Sequence, residues 1–252
     1  MNIILIGTQV FELPPKSYSG LEMIVSQLAQ HLAKKHKVYL VAPNGSYIPN
    51  VEIIETGPAS PINPERDAFL KYREIVTRIV ERDPKNTIIS SHSWSMYEYL
   101  LKIKNPSIKI THTFHGPNIL EMPKEKFIRE QIMNGEWNLI GISKAQAKYH
   151  SDALGGAPVH VIYNGVDQNI YKFWDGYRDD TILYLGLMNK EKGADKFAEM
   201  MVKYNYKAKM IGEDTFIADP NFVRQLIAYI NAEGKNIEFW GTVSHEYKLY
   251  SL

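Results

Sequence analysis

A glycine and a lysine–glycine pair flank a short polar loop in the sequence TILYLGLMNKEKG, at residues 181–193. A short apolar strand is predicted to end at Gly186, and Lys192 and Gly193 stand where the next helix begins. Glycine lets an anion come close to the backbone, and a helix N-terminus offers free N–H groups and the positive end of its dipole. Lys192 adds a mobile positive charge. The segment therefore predicts a phosphate-binding loop, although strand–glycine–helix junctions occur in any α/β protein.

A second loop of this kind stands before the first predicted helix, where Ser19, Gly20 and Leu21 follow a stretch with two prolines. Ser19 can cap that helix, and Gly20 lets a ligand approach the amides of its first turn. The loop lacks the GxGxxG spacing, which argues against a dinucleotide dehydrogenase. Two interpretations stay open here, a ligand-binding turn and a plain capped helix.

Histidines follow two of the predicted strands. His92 comes after the strand that begins at Thr87, while His112 and His115 lie at the end of the strand Ile108–Thr113. Alternation along a strand places His112 and His115 on opposite sides. We expect His115 to point into a cleft between two domains, where a neutral imidazole can hydrogen-bond a sugar hydroxyl. His112 is interpreted as structural. A metal site formed by His92 and His115 would lack a nearby carboxylate, so no metal is expected.

Two later strands also end in residues that suit a nucleotide. Gly212 and Glu213 follow one of them, and Thr242 and Val243 follow the other. Ligands of open α/β sheets bind beyond the carboxyl ends of the strands. For Glu213, the alternative is a solvated acidic loop. Ser143, which follows an earlier strand, is interpreted as a helix cap.

The elements that must position these residues alternate between strand and helix, as in a parallel α/β sheet. The alternation stops in a polar and aromatic stretch and then restarts at Ile182. The prediction is therefore two Rossmann-like units that face each other across a cleft: an acceptor-side domain at 1–167, a linker at 168–180 and a partial second domain at 181–252. A last helix is predicted over His245–Leu252.

Composition excludes several classes of function. The formal net charge of +1 gives no electrostatic case for nucleic-acid binding. The chain has no cysteine, so disulfides, thiolate catalysis and cysteine-based metal sites are excluded, which fits a cytoplasmic protein. Neither a signal peptide nor a membrane span is predicted.

Taken in order, seven segments of the chain resemble the retaining GT-B glycosyltransferases often called family 4. The resemblance covers essentially the whole chain, and its motifs are specific to the family rather than to a substrate. The segments are Ser19-Gly20-Leu21-Glu22, His115-Gly116, Ile142-Ser143, Asn164-Gly165-Val166-Asp167, Gly186 through Lys192-Gly193, Gly212-Glu213 and Gly241-Thr242-Val243.

The resemblance implies a GT-B fold of two Rossmann-like domains, with a nucleotide-sugar donor held mainly by the second and an acceptor hydroxyl by the first. It implies a retained anomeric configuration without a metal cofactor, and a UDP-sugar is the default donor. Lys192 would stabilise the leaving phosphate and His115 would contact the donor sugar, so these two are the predicted catalytic residues. The predicted substrate-binding residues are Ser19, Gly20, Leu21, Gly186, Gly212, Glu213, Thr242 and Val243.

Two departures from the family pattern shape the alternatives. Leu187 stands where the family has arginine, and losing such a phosphate contact costs on the order of 2–4 kcal/mol unless another group, such as Lys190, replaces it. The family's later loop with two glutamates is absent before Leu252, so a truncated chain with an incomplete second domain is expected. The alternative function is a non-catalytic or split-enzyme subunit, completed by a partner chain or a homo-oligomer. A GT-B-shaped sugar-nucleotide epimerase is a third hypothesis.

Overall fold

The computed structural model describes residues 1–16, 19–60, 65–94, 97–105, 107–116, 126–171, 176, 178–214 and 218–244. The chain divides into two compact units. Unit 1 comprises Met1–Pro14 and Gly20–Val166, and unit 2 comprises Pro15–Ser19 and Asp167–Leu252. The helix predicted over 245–252 and part of the predicted linker lie outside the described residues.

Unit 1 is built around a seven-stranded sheet in which every described strand pair is parallel. The strand order is β3-β2-β1-β4-β5-β6-β7, so the order reverses between β1 and β4. Such a switch point opens a crevice at the carboxyl ends of the strands. The strands are β1 (Asn2–Ile6), β2 (Lys37–Ala42), β3 (Val51–Glu55), β4 (Thr87–Ser91), β5 (Lys109–Phe114), β6 (Asn138–Gly141) and β7 (Val159–Val161). The helices are α1 (Gly20–Leu32), α2 (Glu65–Arg82), α3 (Tyr99–Lys104), α4 (Lys126–Met133) and α5 (Lys144–Ala153).

Helices cover both faces of this sheet, which is why the inner strand β1 is apolar at successive positions. Ile3 and Leu5 of β1 belong to one core cluster together with residues of α1. Ile4 and Ile6 point the other way and belong to a second cluster with residues of α2. The strand thereby places its polar continuation, from Gly7 onward, at the edge of the sheet where the ligand crevice is expected.

Unit 2 contains a smaller parallel sheet with the order β10-β9-β8. The strands are β8 (Ile182–Leu185), β9 (Ala208–Ile211) and β10 (Ile237–Gly241), and the helices are α6 (Ala194–Tyr204) and α7 (Pro220–Glu233). Its core gathers side chains from both helices and from β9, among them Ala198, Met210 and Phe222. No helix among the described residues is long and apolar enough to cross a membrane.

The predicted α/β class is confirmed, and the prediction that Ser143 caps a helix is also confirmed. The Ser143 hydroxyl accepts a hydrogen bond of 3.1 Å from the Gln146 amide at the start of α5. The sequence prediction contained neither α3 nor α4. Helix α3 has only six residues, and Glu98 at its N-cap makes no side-chain cap bond, so the usual start signal is missing.

Candidate functional site

The loop after β1 is tied to the first turn of α1 by buried polar side chains. Thr8 is fully buried, and its hydroxyl donates a hydrogen bond to the carboxylate of Glu22, which is 3% exposed. Burial raises the pKa of the Glu22 carboxyl, and the hydrogen bond from Thr8 acts in the opposite direction. The bond holds the start of α1 against the carboxyl end of β1. Sequence reasoning found Glu22 as part of a motif but missed Thr8.

Gly20 opens α1, and a Cβ atom added to it would meet no other atom within 4 Å. Neighbouring packing therefore does not require a glycine at this position. Leu21 is half-buried, and its side chain packs against the hydrophobic core beside α1. Ser19 is grouped with unit 2 rather than with unit 1.

Two histidines meet at the carboxyl ends of the adjacent strands β4 and β5. Nδ1 of His92 lies 2.9 Å from Nε2 of His115, and the ring centroids are 5.2 Å apart. His92 is buried, and its Nε2 lies 3.3 Å from the hydroxyl oxygen of Ser90. Burial lowers the pKa of His92 to about 3 and that of His115 to about 4, so both rings are neutral near pH 7. The sequence pattern pointed to both histidines but did not predict that they bond to each other.

His150 of α5 fixes the turn that follows His115. Its Nε2 lies 2.9 Å from the Gly116 carbonyl oxygen, to which it donates, and its ring stacks on Phe114 with centroids 3.9 Å apart. His112 is 2% exposed and meets the edge of Phe114 at 4.9 Å, which agrees with its interpretation as structural. Its Nδ1 has no hydrogen-bond partner within the described part of the chain. Sequence reasoning missed His150, because helix α5 alone gives no sign that it reaches β5.

A pocket under the switch point is lined by two buried glutamates, Glu65 and Glu98, together with Tyr72. The Tyr72 hydroxyl donates to Glu98 at 2.9 Å. Burial raises the pKa of Glu98 to about 7, with a smaller contribution from the charge of Glu65. This carboxyl group is therefore partly protonated at neutral pH. Neither glutamate was singled out from the sequence.

In unit 2, each strand of the sheet ends at a glycine: Gly186 after β8, Gly212 after β9 and Gly241 at the end of β10. Gly186 donates its N–H to the Ile211 carbonyl at 3.0 Å, and Gly212 donates to the Gly241 carbonyl at 2.9 Å. A Cβ atom on Gly212 would lie 1.5 Å from the Gly186 carbonyl oxygen. Glycine is thus required at Gly212, because the two loop backbones touch.

A carboxylate and a threonine join the last two of these loops. Oδ1 of Asp214 accepts hydrogen bonds from the amide of Thr242 at 3.1 Å and from its hydroxyl at 2.5 Å. Glu213 is 2% exposed, so the alternative of a solvated loop is wrong for this side chain. Its carbonyl accepts from the Met188 amide at 2.9 Å, and Val243 is half-buried. The predicted residues of these loops are therefore brought together along one edge of the sheet.

The predicted phosphate loop connects β8 to α6. Lys192 is exposed, and Gly193 has a left-handed backbone with φ of 73° at the N-cap of α6. Tyr184 steadies the loop by donating its hydroxyl to the Leu187 carbonyl at 2.8 Å. The Leu187 side chain packs against the core of unit 2. In the described residues, Lys190 and Lys192 take part in no ion pair.

No group of three or more histidine, aspartate or glutamate side chains in the described ranges is arranged to hold a metal ion. The expectation that no metal is needed stays a prediction. Gly20 and Leu21 at the start of α1 and His115 after β5 belong to unit 1, whereas Ser19 and the remaining predicted site residues are grouped with unit 2.

Comparison with known proteins identifies the family of this chain. Residues 18–169 match the family model described as Glycosyltransferase Family 4. No curated protein matches the chain. A glycosyltransferase from Rickettsia africae ESF-5 superposes with a TM-score of 0.69 at 16% identity, over 99% of this chain and 70% of its own.

Two further solved structures share the fold. WaaG, a glycosyltransferase involved in lipopolysaccharide biosynthesis, gives a TM-score of 0.59 at 12% identity, over 98% of this chain and 72% of its own. Anabaena Alr3699/HepE, solved in complex with UDP, gives 0.59 at 14% identity, over 96% and 69%. The likeness confirms the predicted GT-B fold class.

Proposed function

The chain belongs to glycosyltransferase family 4 and is a transferase, and from this premise we propose that it moves a sugar from a UDP-sugar to an acceptor hydroxyl with retention of the anomeric configuration. The glycine-lined edge of unit 2 is the observation that carries the proposal. Gly186 and Gly212 carry no side chains at the strand ends, and the loop backbones touch there, since a Cβ atom on Gly212 would lie 1.5 Å from the Gly186 carbonyl oxygen. In this proposal the diphosphate comes close to the backbone at these glycines. HepE, which shares the fold, is solved with UDP, and this supports the choice of nucleotide.

Lys192 and the start of α6 supply the positive charge in this proposal. A diphosphate leaving group gains negative charge as the glycosidic bond breaks, and a nearby ammonium group and helix dipole lower that barrier. Leu187, which replaces the family's arginine, packs into the core instead. The compensating charge therefore comes from the exposed Lys190 and Lys192.

His115 is the proposed contact to the donor sugar. Its imidazole is neutral because burial lowers its pKa to about 4, so it can exchange a hydrogen bond with a hydroxyl without introducing charge. The acceptor would lie on the unit 1 side, at the carboxyl ends of β1 and β4. Metal independence and a cytoplasmic location are parts of the proposal that rest on the family resemblance and the composition.

Calorimetric titration with UDP, GDP and ADP tests the donor class. We expect micromolar binding of UDP, and Lys192→Ala should weaken it about tenfold because a phosphate contact is lost. Lys196→Ala is the matched control, since Lys196 lies on α6, after the loop that carries Lys192, and pairs with Glu199 at 2.9 Å. Equal UDP affinity in wild type and Lys192→Ala would remove Lys192 from the site.

A non-catalytic or split-enzyme subunit is the second candidate, and the packing of Leu187 away from the loop favours it. Donor turnover with added acceptor separates the two functions. Binding of UDP without turnover of any donor would support the second candidate. Product analysis by NMR would show whether the anomeric configuration is retained, and an epimerised sugar would indicate the third hypothesis.

A further inference from the structure

Among the residues that the structure describes, one ring nitrogen of His115 is engaged in a contact within the protein and the other is left for a ligand. Its Nε2 lies 2.9 Å from Nδ1 of His92, within hydrogen-bonding distance. His92 comes from β4, the strand next to β5, and it is 4% exposed. The other nitrogen of His92 faces the Ser90 hydroxyl at 3.3 Å. Ser90, His92 and His115 thus form a chain of three polar groups that ends at Nδ1 of His115.

The protonation state of the two rings limits which tautomers this hydrogen-bonded chain allows. The groups that face His92 are the imidazoles of His115 and His112, and all three pKa values are lowered, chiefly by burial. Two neutral rings share one proton between Nδ1 of His92 and Nε2 of His115. A hydrogen bond between neutral imidazoles requires that one nitrogen donates and the other accepts. The tautomer of His115 is therefore coupled to that of His92.

We propose that His92 is a positioning residue, which occupies Nε2 of His115, fixes its tautomer and ring orientation, and so presents Nδ1 to a hydroxyl of the donor sugar. The inference rests on the proposed function in one respect, namely that His115 contacts the donor. The geometry within the protein is independent of that contact. In histidines generally, the hydrogen bond made by one ring nitrogen decides whether the other nitrogen carries the proton.

Side-chain NMR of nitrogen-15-labelled histidine tests the positioning directly. The signal of His115 is identified by its loss in His115→Gln. In wild type we expect one protonated and one bare nitrogen that persist from about pH 8 to about pH 5. In His92→Leu, which keeps a similar side-chain volume but removes the bond, His115 should exchange between its two tautomers. A His115 that keeps the same single tautomer in both proteins would overturn the proposal.

Kinetics then tests whether the positioning serves the reaction. We expect His92→Leu to lower kcat about ten- to hundredfold with little change in UDP affinity, because the reacting groups are misplaced by a fraction of an ångström. His92→Asn places an amide near the position of Nδ1 and should recover most of the loss. His160→Leu is the matched control, since His160 is exposed on β7.

The outcomes distinguish this inference from the proposed function. Equal kcat values in His92→Leu and His92→Asn would mean that shape rather than the hydrogen bond matters, and the positioning role would fall. If no donor turns over in wild type, the proposed function falls, and the His115 tautomer measured by NMR alone decides whether His92 fixes the ring. A thermal denaturation of each variant confirms that the comparison is made on folded protein.

Discussion

At Gly20, an added methyl group would enter open space in front of the first turn of α1. Alanine is a better helix former than glycine by up to about 1 kcal/mol. We therefore expect Gly20→Ala to keep or raise the free energy of unfolding while it weakens UDP-sugar binding about tenfold, because the methyl group occupies the path to the helix amides. Urea denaturation and calorimetry measure the two effects. Unchanged donor affinity would support the alternative interpretation, in which Gly20 belongs to a plain capped helix.

Ionisation of Glu98 should affect stability between about pH 4.5 and about pH 7. Its pKa is raised to about 7 in the folded protein, where Tyr72, Glu65 and Ser91 surround it, against an ordinary value of 4.5. Between these pH values the folded state holds more protons than the unfolded chain, so the free energy of unfolding falls as pH rises. Glu98→Gln cannot ionise, and it still accepts the Tyr72 hydrogen bond.

We therefore expect the stability of Glu98→Gln relative to wild type to rise by roughly 3 kcal/mol from about pH 4 to about pH 8. Urea denaturation at a series of pH values measures it. Glu136→Gln, at an exposed carboxylate, is the control. Stability profiles that run parallel for wild type and Glu98→Gln would show that Glu98 ionises as freely in the folded state as in the unfolded chain.

At the scale of single residues, local sequence reveals glycines and histidines but not burial. Gly186 and Gly212 could be found because a glycine directly after an apolar strand is typical of a loop whose backbone comes close to another group. The bond between His92 and His115 could not, since it depends on β4 and β5 being neighbours in the sheet. Glu98 is buried because Tyr72, from a helix 26 residues earlier, lies against it. No periodicity of the sequence predicts such a contact.

The junction between β6 and α5 joins two elements through a cap and a glycine. A Cβ atom on Gly141 would lie 2.7 Å from the Ala147 amide nitrogen, so the helix start rests directly on the strand. Ser143 caps that helix through the Gln146 amide. We expect Ser143→Ala to lower the free energy of unfolding by about 1 kcal/mol. Chemical denaturation measures it, with Ser151→Ala inside the same helix as the control.

A loss of stability no larger in Ser143→Ala than in Ser151→Ala would mean that the cap bond adds nothing to α5.

The longer helices could be predicted from the sequence because apolar periodicity and a polar cap coincide in them. Helices α3 and α4 were missed for different reasons. Helix α3 has only six residues, and α4 has no acidic residue in its first turn. Tertiary packing decides such short helices, and it leaves little trace in the local pattern.

For the whole molecule, the two units should respond differently to nucleotide. Unit 2 carries the glycine-lined edge, and a ligand that binds only the folded state stabilises it by about 2.7 kcal/mol at a hundred times its Kd. We expect UDP to slow amide hydrogen exchange at the loops after β8, β9 and β10 and to leave β2 and β3 of unit 1 unchanged. Mass spectrometry of peptides resolves the two. Protection confined to unit 1 would contradict the assignment of the nucleotide to unit 2.

Parallel strand order also has a consequence for synthesis. Strand β1 is synthesised before β4, with which it pairs on one side, and Asn2 meets Thr87 across 85 residues of chain. At about 5–20 residues per second, the ribosome needs roughly 4–17 s to deliver that partner. Until then β1 can pair only with β2, which starts at Lys37. The side of β1 that pairs with β4 in the finished sheet is thus an open, apolar edge in the nascent chain, and a chaperone could prevent it from pairing with another chain.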